Sequence, residues 1–173
     1  MTAPWGVRAF QAGDTALLHS FKCATSKAAW DVEVETWVQS HSASWVGAES
    51  HADMDRRLLL LRNPRGTLVG IAAHELKDAV LPGKDGVFFV RFLTCIAVSS
   101  RWQGRSIPRQ GKVSDVLLAT ALNDIAARPE QVPFVNALIH QDNYGSSVLF
   151  ARNGFVPYRP PVDGYVRHTL TNG

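Results

Sequence analysis

The chain is poor in cysteine, methionine and tyrosine, carries only moderate charge, and has no long apolar run. Its two cysteines, Cys23 and Cys95, lie far apart in apolar surroundings, with no charged-then-apolar leader ahead of them. This pattern argues against an oxidising compartment and for a cytoplasmic location. The longest apolar candidate, residues 87–98, is broken by Arg91 and falls short of the roughly 18–20 residues that cross a bilayer, so no membrane partner is expected. Internal repeats, low-complexity tracts and Ser/Gly linkers are also missing, which leads us to expect a single domain over residues 1–173. No metal site is expected. What the chain does have is apolar bulk: 46% hydrophobic residues, including 5 Trp and 8 Phe, enough to exclude disorder throughout.

The formal charge of +3 is localised. Residues 99–112 hold four cations, Arg101, Arg105, Arg109 and Lys112, and no acid, while the rest of the chain carries fourteen basic and fifteen acidic residues. A basic face spread over the whole molecule, the usual mark of general nucleic-acid binding, is therefore not present. A solvated cationic loop is the plain alternative to a ligand site.

Periodicity orders the elements. Residues 5–10 predict a first strand, and Asp14 an N-cap for a short helix through Leu17, Leu18 and Phe21. Trp30, Val34, Trp37, Val38 and Trp45 fall at helical spacing, with Asp31, Glu33 and Glu35 near the positive end of the helix dipole. Two strands, 57–62 and 67–76, flank the turn Asn63-Pro64-Arg65-Gly66 and predict a hairpin. After a loop at 82–86, residues 87–98 are apolar on both alternating sets, as in a central strand covered on both faces. A helix over 113–127 with Val116, Leu117, Ala121 and Ile125 inward, a strand over 134–140, a helix over 143–153 and one or two terminal strands divided by Pro160-Pro161 complete a mixed α/β or α+β domain on one sheet.

The strongest chemical feature is a buried strand that runs through a turn containing Gly104 and Gly111 into a helix N-terminus. Free N–H groups at a helix start and in a glycine turn favour an anion, and Arg101, Arg105, Arg109 and Lys112 would bond phosphate oxygens. The turn is neither a P-loop nor a dinucleotide fingerprint.

These residues resemble the GCN5-related N-acetyltransferases (GNAT), which use acetyl-CoA. Ile96-Ala97-Val98-Ser99-Ser100-Arg101-Trp102-Gln103-Gly104 is similar to the end of that family's fourth strand and its pyrophosphate loop. Asn143-x-x-Ser146-x-x-x-Phe150-x-x-x-Gly154-Phe155 is similar to its second motif. The resemblance covers residues 6–170 and implies a mostly antiparallel sheet with a splayed parallel strand pair, flanked by helices. It implies acetyl-CoA bound through Ile96, Val98, Gln103, Gly104, Arg105, Ser106, Arg109, Lys112, Ser114, Asn143, Ser146 and Phe150. Three departures stand out. Ser106 replaces the loop's second glycine, residues 107–112 are additional, and Phe150 replaces the tyrosine that commonly protonates the departing thiolate.

The implied reaction is direct attack of a primary amine on the acyl donor in a ternary complex. Glu75 and His140 are candidates to take the amine's proton, with His74 and Asp142 in reserve. A solvated glutamate and a hydrogen-bonded edge histidine are the corresponding structural readings, and Asp142 or Asn143 would also serve as helix N-caps. The acceptor is a small molecule, a peptide or an aminoacyl-tRNA; the last would make the protein a toxin, which Phe21-Lys22-Cys23 before a Trp-bearing helix faintly supports. A non-catalytic acyl-CoA-binding protein of the same fold is the other alternative. The resemblance also admits a homodimer.

Overall fold

The computed structural model describes residues 5–47, 53–79 and 85–171. The strands are β1 (Gly6–Ala9), β2 (Arg57–Arg62), β3 (Leu68–Ala79), β4 (Phe88–Val98), β5 (Ser106–Ile107), β6 (Gly111–Lys112), β7 (Phe134–His140), β8 (Val156–Val162) and β9 (Tyr165–Thr171). The helices are α1 (Thr15–His19), α2 (Ala29–Ser40), α3 (Ser42–Gly47), α4 (Val113–Ala126) and α5 (Tyr144–Arg152). Seven strands form one sheet in the order β1-β2-β3-β4-β7-β9-β8, and β5 and β6 form a separate small hairpin. Neighbours in the large sheet are antiparallel except β4 and β7, which are parallel. This is the expected mostly antiparallel sheet with one parallel pair. Of the loop anticipated at 82–86, residues 82–84 lie outside the described residues.

Both faces of the sheet are covered, which is why β2 reads as four consecutive leucines. Leu59 and Leu61 point to a core under α4 and α5 with Leu117, Leu118 and Phe155. Leu58 and Leu60 point the other way, to a core under α1 and α2 with Leu18, Val38 and Ile71. Each fully buried leucine contributes roughly 1.5–3 kcal/mol of transfer free energy, so the alternation locks the register of β2 against β3.

Three local expectations need correction. The tryptophan-bearing helix is two helices: the chain breaks at His41 and Trp45 lies on α3, where it packs edge-on against Trp37 at 5.5 Å. Asp14 makes no side-chain cap for α1. Its carboxylate instead accepts from the Gln11 amide at 2.9 Å and pairs with Arg8 and Arg62, tying β1 and β2 together. Pro160-Pro161 sits inside β8 rather than between strands, and Asp163-Gly164 makes the turn to β9. An edge strand tolerates proline because its outward N–H groups have no ladder partner.

Candidate active site

The cleft originates in a mismatch of strand partners. β4 pairs with β7 only over Arg91, Phe92 and Leu93. On its other side Ala73 faces Cys95 while His74 faces Leu93, so Thr94 is an extra residue on β4 and forms a β-bulge. From this bulge onward β4 has no strand on its β7 side, and two contiguous clefts fill the splay. They share Trp30, Val34, Ile96, Asn143 and Ser146 in their walls.

The first cleft, about 540 Å³, runs along Ile96 and Val98 to the start of α4. Gln103, Gly104, Lys112 and Ser114 line it from the loop, and Asn143 and Ser146 from α5. Gly104 holds φ of 73°, a conformation that disfavours any residue with a Cβ. α4 has no side-chain N-cap, so its N-terminus retains the positive end of its dipole toward this cleft. Asn143 caps α5 by accepting from the Ser146 amide at 3.0 Å, so its predicted capping role and its place in the cleft coincide.

The additional residues do not lengthen the loop after β4 itself. They fold out as the β5–β6 hairpin, anchored by buried Ile107, and the Val113 amide donates back to the Arg105 carbonyl at 3.0 Å. The loop therefore passes from Arg105 to Val113 as if the excursion were absent. As a result Arg105, Ser106 and Arg109 do not line the cleft. Arg105 lies over the Trp102 ring at 5.6 Å, Ser106 pairs with Lys112 in the hairpin, and Arg109 forms the hairpin turn with φ of 63°. Arg101 also lies outside this cleft and lines a different one.

Gln103 acts as a clamp. Its Nε2 donates to the Cys23 carbonyl at 2.7 Å and the Val98 carbonyl at 3.1 Å, fastening the α1–α2 connection to the end of β4. That connection is held from the other side by α2: Glu35 accepts from the Cys23 and Ala24 amides, and Asp31 from the Thr25 and Ser26 amides. Burial opposes ionisation of both carboxyls, yet these hydrogen bonds prevail and hold them below the usual range. Burial pushes the Cys23 thiol up to about 12, and Cys95 also upward, so neither supplies a thiolate nucleophile near neutral pH.

The second cleft, about 390 Å³, lies beyond the bulge. Trp30, Val34, Trp37 and Phe92 make an apolar wall, with Glu33, His140 and Tyr165 as the ionisable groups and Phe150 at the base. His140 is stacked on Trp30 at 5.8 Å and meets Tyr165 edge-on at 5.2 Å. Its Nδ1 accepts from the Asp142 amide at 3.2 Å, which leaves the Nε2 edge free of that bond. The Tyr165 hydroxyl donates to Glu33 at 2.6 Å, and this bond pushes its pKa up to about 12. Tyr165 and Glu33 escape sequence reasoning because they lie on β9 and α2, 132 residues apart. The only local signal is Glu33 on the face that carries Trp30, Val34 and Trp37.

Glu75 does not join this group. It is buried, bonded to Arg56 at 3.0 Å and Lys77 at 2.8 Å, and lines neither cleft. His74 is on β3, fully buried against Asp124 at 2.9 Å. Phe150 is buried against Phe155 at 4.9 Å, so the position offers the cleft no hydroxyl.

Neither a family model nor a curated sequence matches the chain. Solved structures do. A GNAT-family acetyltransferase from Desulfovibrio desulfuricans is similar at 15% identity and TM-score 0.67, covering 96% of this chain and 98% of its own. The PaiA N-acetyltransferase from Thermoplasma acidophilum, in complex with coenzyme A, is 12% identical at TM-score 0.69, covering 98% and 100%. The AtaT protein complexed with acetyl-methionyl-tRNAfMet is 14% identical at TM-score 0.67, covering 96% and 94%. The likeness extends over nearly the full length of each chain, and so this chain has the fold of the GNAT acetyltransferases.

Proposed function

We propose that the protein is an acetyl-CoA-dependent N-acetyltransferase that acts on a primary amine in a ternary complex. The observation that carries the reading is the pair of contiguous clefts that meet at Ile96 where β4 parts from β7, one ending at a helix start without a side-chain cap and the other at an acid, a histidine and a phenol. Acetyl-CoA supplies an acyl group activated as a thioester. Backbone groups of Ile96 and Val98, which lack a strand partner on the β7 side, bind the pantetheine, and the Gly104 turn with Lys112 and Ser114 receives the phosphates. Donors at the bulge stabilise negative charge on the thioester oxygen.

The acceptor enters as an ammonium ion beside Glu33, whose carboxylate already accepts from Tyr165. Of the two expected proton acceptors, Glu75 and His140, His140 lines the cleft and Glu75 does not, which supports His140, together with Glu33, as the group that takes the proton directly or through water. A thiolate is a tolerable leaving group, so Phe150 slows proton delivery without forbidding transfer. Calorimetry with acetyl-CoA tests the reading. Micromolar binding that is lost on Gln103→Ala with Gly104→Val is expected, and no binding at millimolar ligand rejects it.

A second reading, acetylation of aminoacyl-tRNA, draws support from AtaT, solved both with acetyl-methionyl-tRNAfMet and, as a toxin, with its antitoxin fragment and acetyl-CoA. A translation reaction supplied with acetyl-CoA separates the two: uninhibited synthesis rejects the toxin reading. Coenzyme A release above background with any of a panel of polyamines, amino sugars, peptides and aminoacyl-tRNA rejects a purely non-catalytic role.

A further inference from the structure

A third cleft, about 440 Å³, adjoins the cofactor cleft without sharing a lining residue with it. The partition between them is one strip of chain. Cys23, Val98 and Gln103 face the cofactor side, and their neighbours Lys22, Ser99 and Arg101 face the other. The Gln103 clamp already described and the Ser100 amide, which donates to the Lys22 carbonyl at 2.9 Å, hold this strip together. The far wall is the β2–β3 turn, where Asn63 Oδ1 accepts from the Arg65 and Thr67 amides, each at 3.0 Å.

Three sequence-distant segments thus bring Lys22, Arg65 and Arg101 to one concavity, and no acidic residue lines it among the described residues. Lys22 shares its charge with Glu35 at 3.1 Å. Arg65 and Arg101 have no carboxylate partner among the described residues, a state they share with Arg105, Arg109, Arg128 and Arg167, but they alone of these line a common concavity. Thr67, Ser99 and Ser100 add hydroxyls to the lining, the Ser20 hydroxyl donates to the Ala16 and Leu17 carbonyls, and Leu17, Phe21 and Leu68 form the apolar part. The guanidinium groups of Arg65 and Arg101, solvent-exposed on one concave surface with an ammonium and nearby hydroxyls, match phosphate oxygens in geometry and charge.

We propose that this cleft is a second phosphate-binding site, separate from the cofactor cleft, that takes a ligand bearing two or more phosphate groups: either successive phosphodiesters of an RNA strand or the polyphosphate of a free nucleotide. It stands whether or not the acetyltransferase reading does. The binding is measured on the full chain by fluorescence anisotropy of a labelled single-stranded RNA dodecamer between 50 and 200 mM KCl, with acetyl-CoA saturating. Three neutralised phosphates predict a slope of log affinity against log salt of about −2, hence about 20-fold weaker binding at the higher salt. Arg65→Gln with Arg101→Gln should reduce the slope to about −0.7 and weaken binding at least 10-fold at 50 mM, as one contact remains. Acetyl-CoA affinity by calorimetry should be the same in both proteins, which also shows that the variant is folded. Inorganic pyrophosphate arbitrates the source: displacement of RNA below millimolar identifies a free phosphorylated ligand, and resistance to it identifies the nucleic-acid backbone. The proposal is overturned by unchanged affinity and slope in the variant, by RNA binding that is seen only when acetyl-CoA is omitted, or by no binding of RNA in this assay and none of pyrophosphate by calorimetry at millimolar concentration.

Discussion

Gly164→Ala examines whether the His140 ring is locked in place, because two separable effects meet at that residue. Asp163 and Gly164 form the two-residue β8–β9 turn with φ of 51° and 81°, the type in which both central residues are left-handed. Placing alanine in that conformation costs about 1–2 kcal/mol. Its Cβ would also lie 2.9 Å from His140 Nε2. The ring has little room to retreat, with Trp30 stacked at 5.8 Å and Tyr165 edge-on at 5.2 Å. Overpacking of this kind costs about 1–3 kcal/mol more. Gly66→Ala is the control, since Gly66 has φ of 78° but nothing within 4 Å of a new Cβ. Urea unfolding should therefore show a loss of about 2–5 kcal/mol for Gly164→Ala and only about 1–2 kcal/mol for Gly66→Ala. In a His140→Ala background the contact disappears, and Gly164→Ala should fall to the control value, a non-additivity that reports direct contact. Turnover adds a second readout: KM for the amine should rise while acetyl-CoA affinity holds, because Gly164 contacts His140, which lines the second cleft and not the first. Equal losses for the two glycine variants, or strict additivity with His140→Ala, would refute the locked ring.

Three further outcomes are expected. His74 is held at about 4 by burial, which Asp124 opposes and the neighbouring charges of Arg91 and Asp55 modify, against an unfolded value near 6.5. The unfolded chain then binds the extra proton first, so stability is full above pH 6.5 and falls toward pH 4 by up to about 3 kcal/mol, a slope that His74→Gln should flatten in pH-dependent urea melts. Asp124 is a separate case: burial opposes its ionisation, bonds from Arg57 and His74 prevail, and its contribution is lost only as pH drops below 3.8. Asn143→Ala removes the α5 cap and should cost about 1 kcal/mol, read as a lower thermal midpoint, while also weakening acetyl-CoA binding. Arg91 is fully buried and bonded to Asp55 at 2.6 Å and Glu130 at 3.2 Å, both of which keep access to solvent, so Arg91→Ala should cost about 1.5–3 kcal/mol in the same melts.

What the sequence by itself determined is everything with a short period or a local geometric demand. Apolar residues on both alternating sets of β4 mark a strand inside the sheet, Asn143 three residues before Ser146 marks a capped helix, and Gly104 marks a turn that needs a positive φ. The elements of the sheet are legible for that reason, and Ile96, Val98, Gln103, Gly104, Ser114, Asn143 and Ser146, singled out together in the sequence, line one cleft. Tertiary structure decided what depends on partners distant in sequence. Residue type cannot reveal that 106–112 close on themselves and withdraw Arg105 and Arg109 from the phosphates, since the closing bond is between backbone groups. Nor can it reveal that Glu75 meets Arg56 across β3, that Glu33 reaches Tyr165 across the cleft, or that Arg101 turns away to join Lys22 and Arg65. Strand alternation specifies which side of the sheet a side chain takes. Which charges then become neighbours follows only from how the strands pair and where β4 parts from β7.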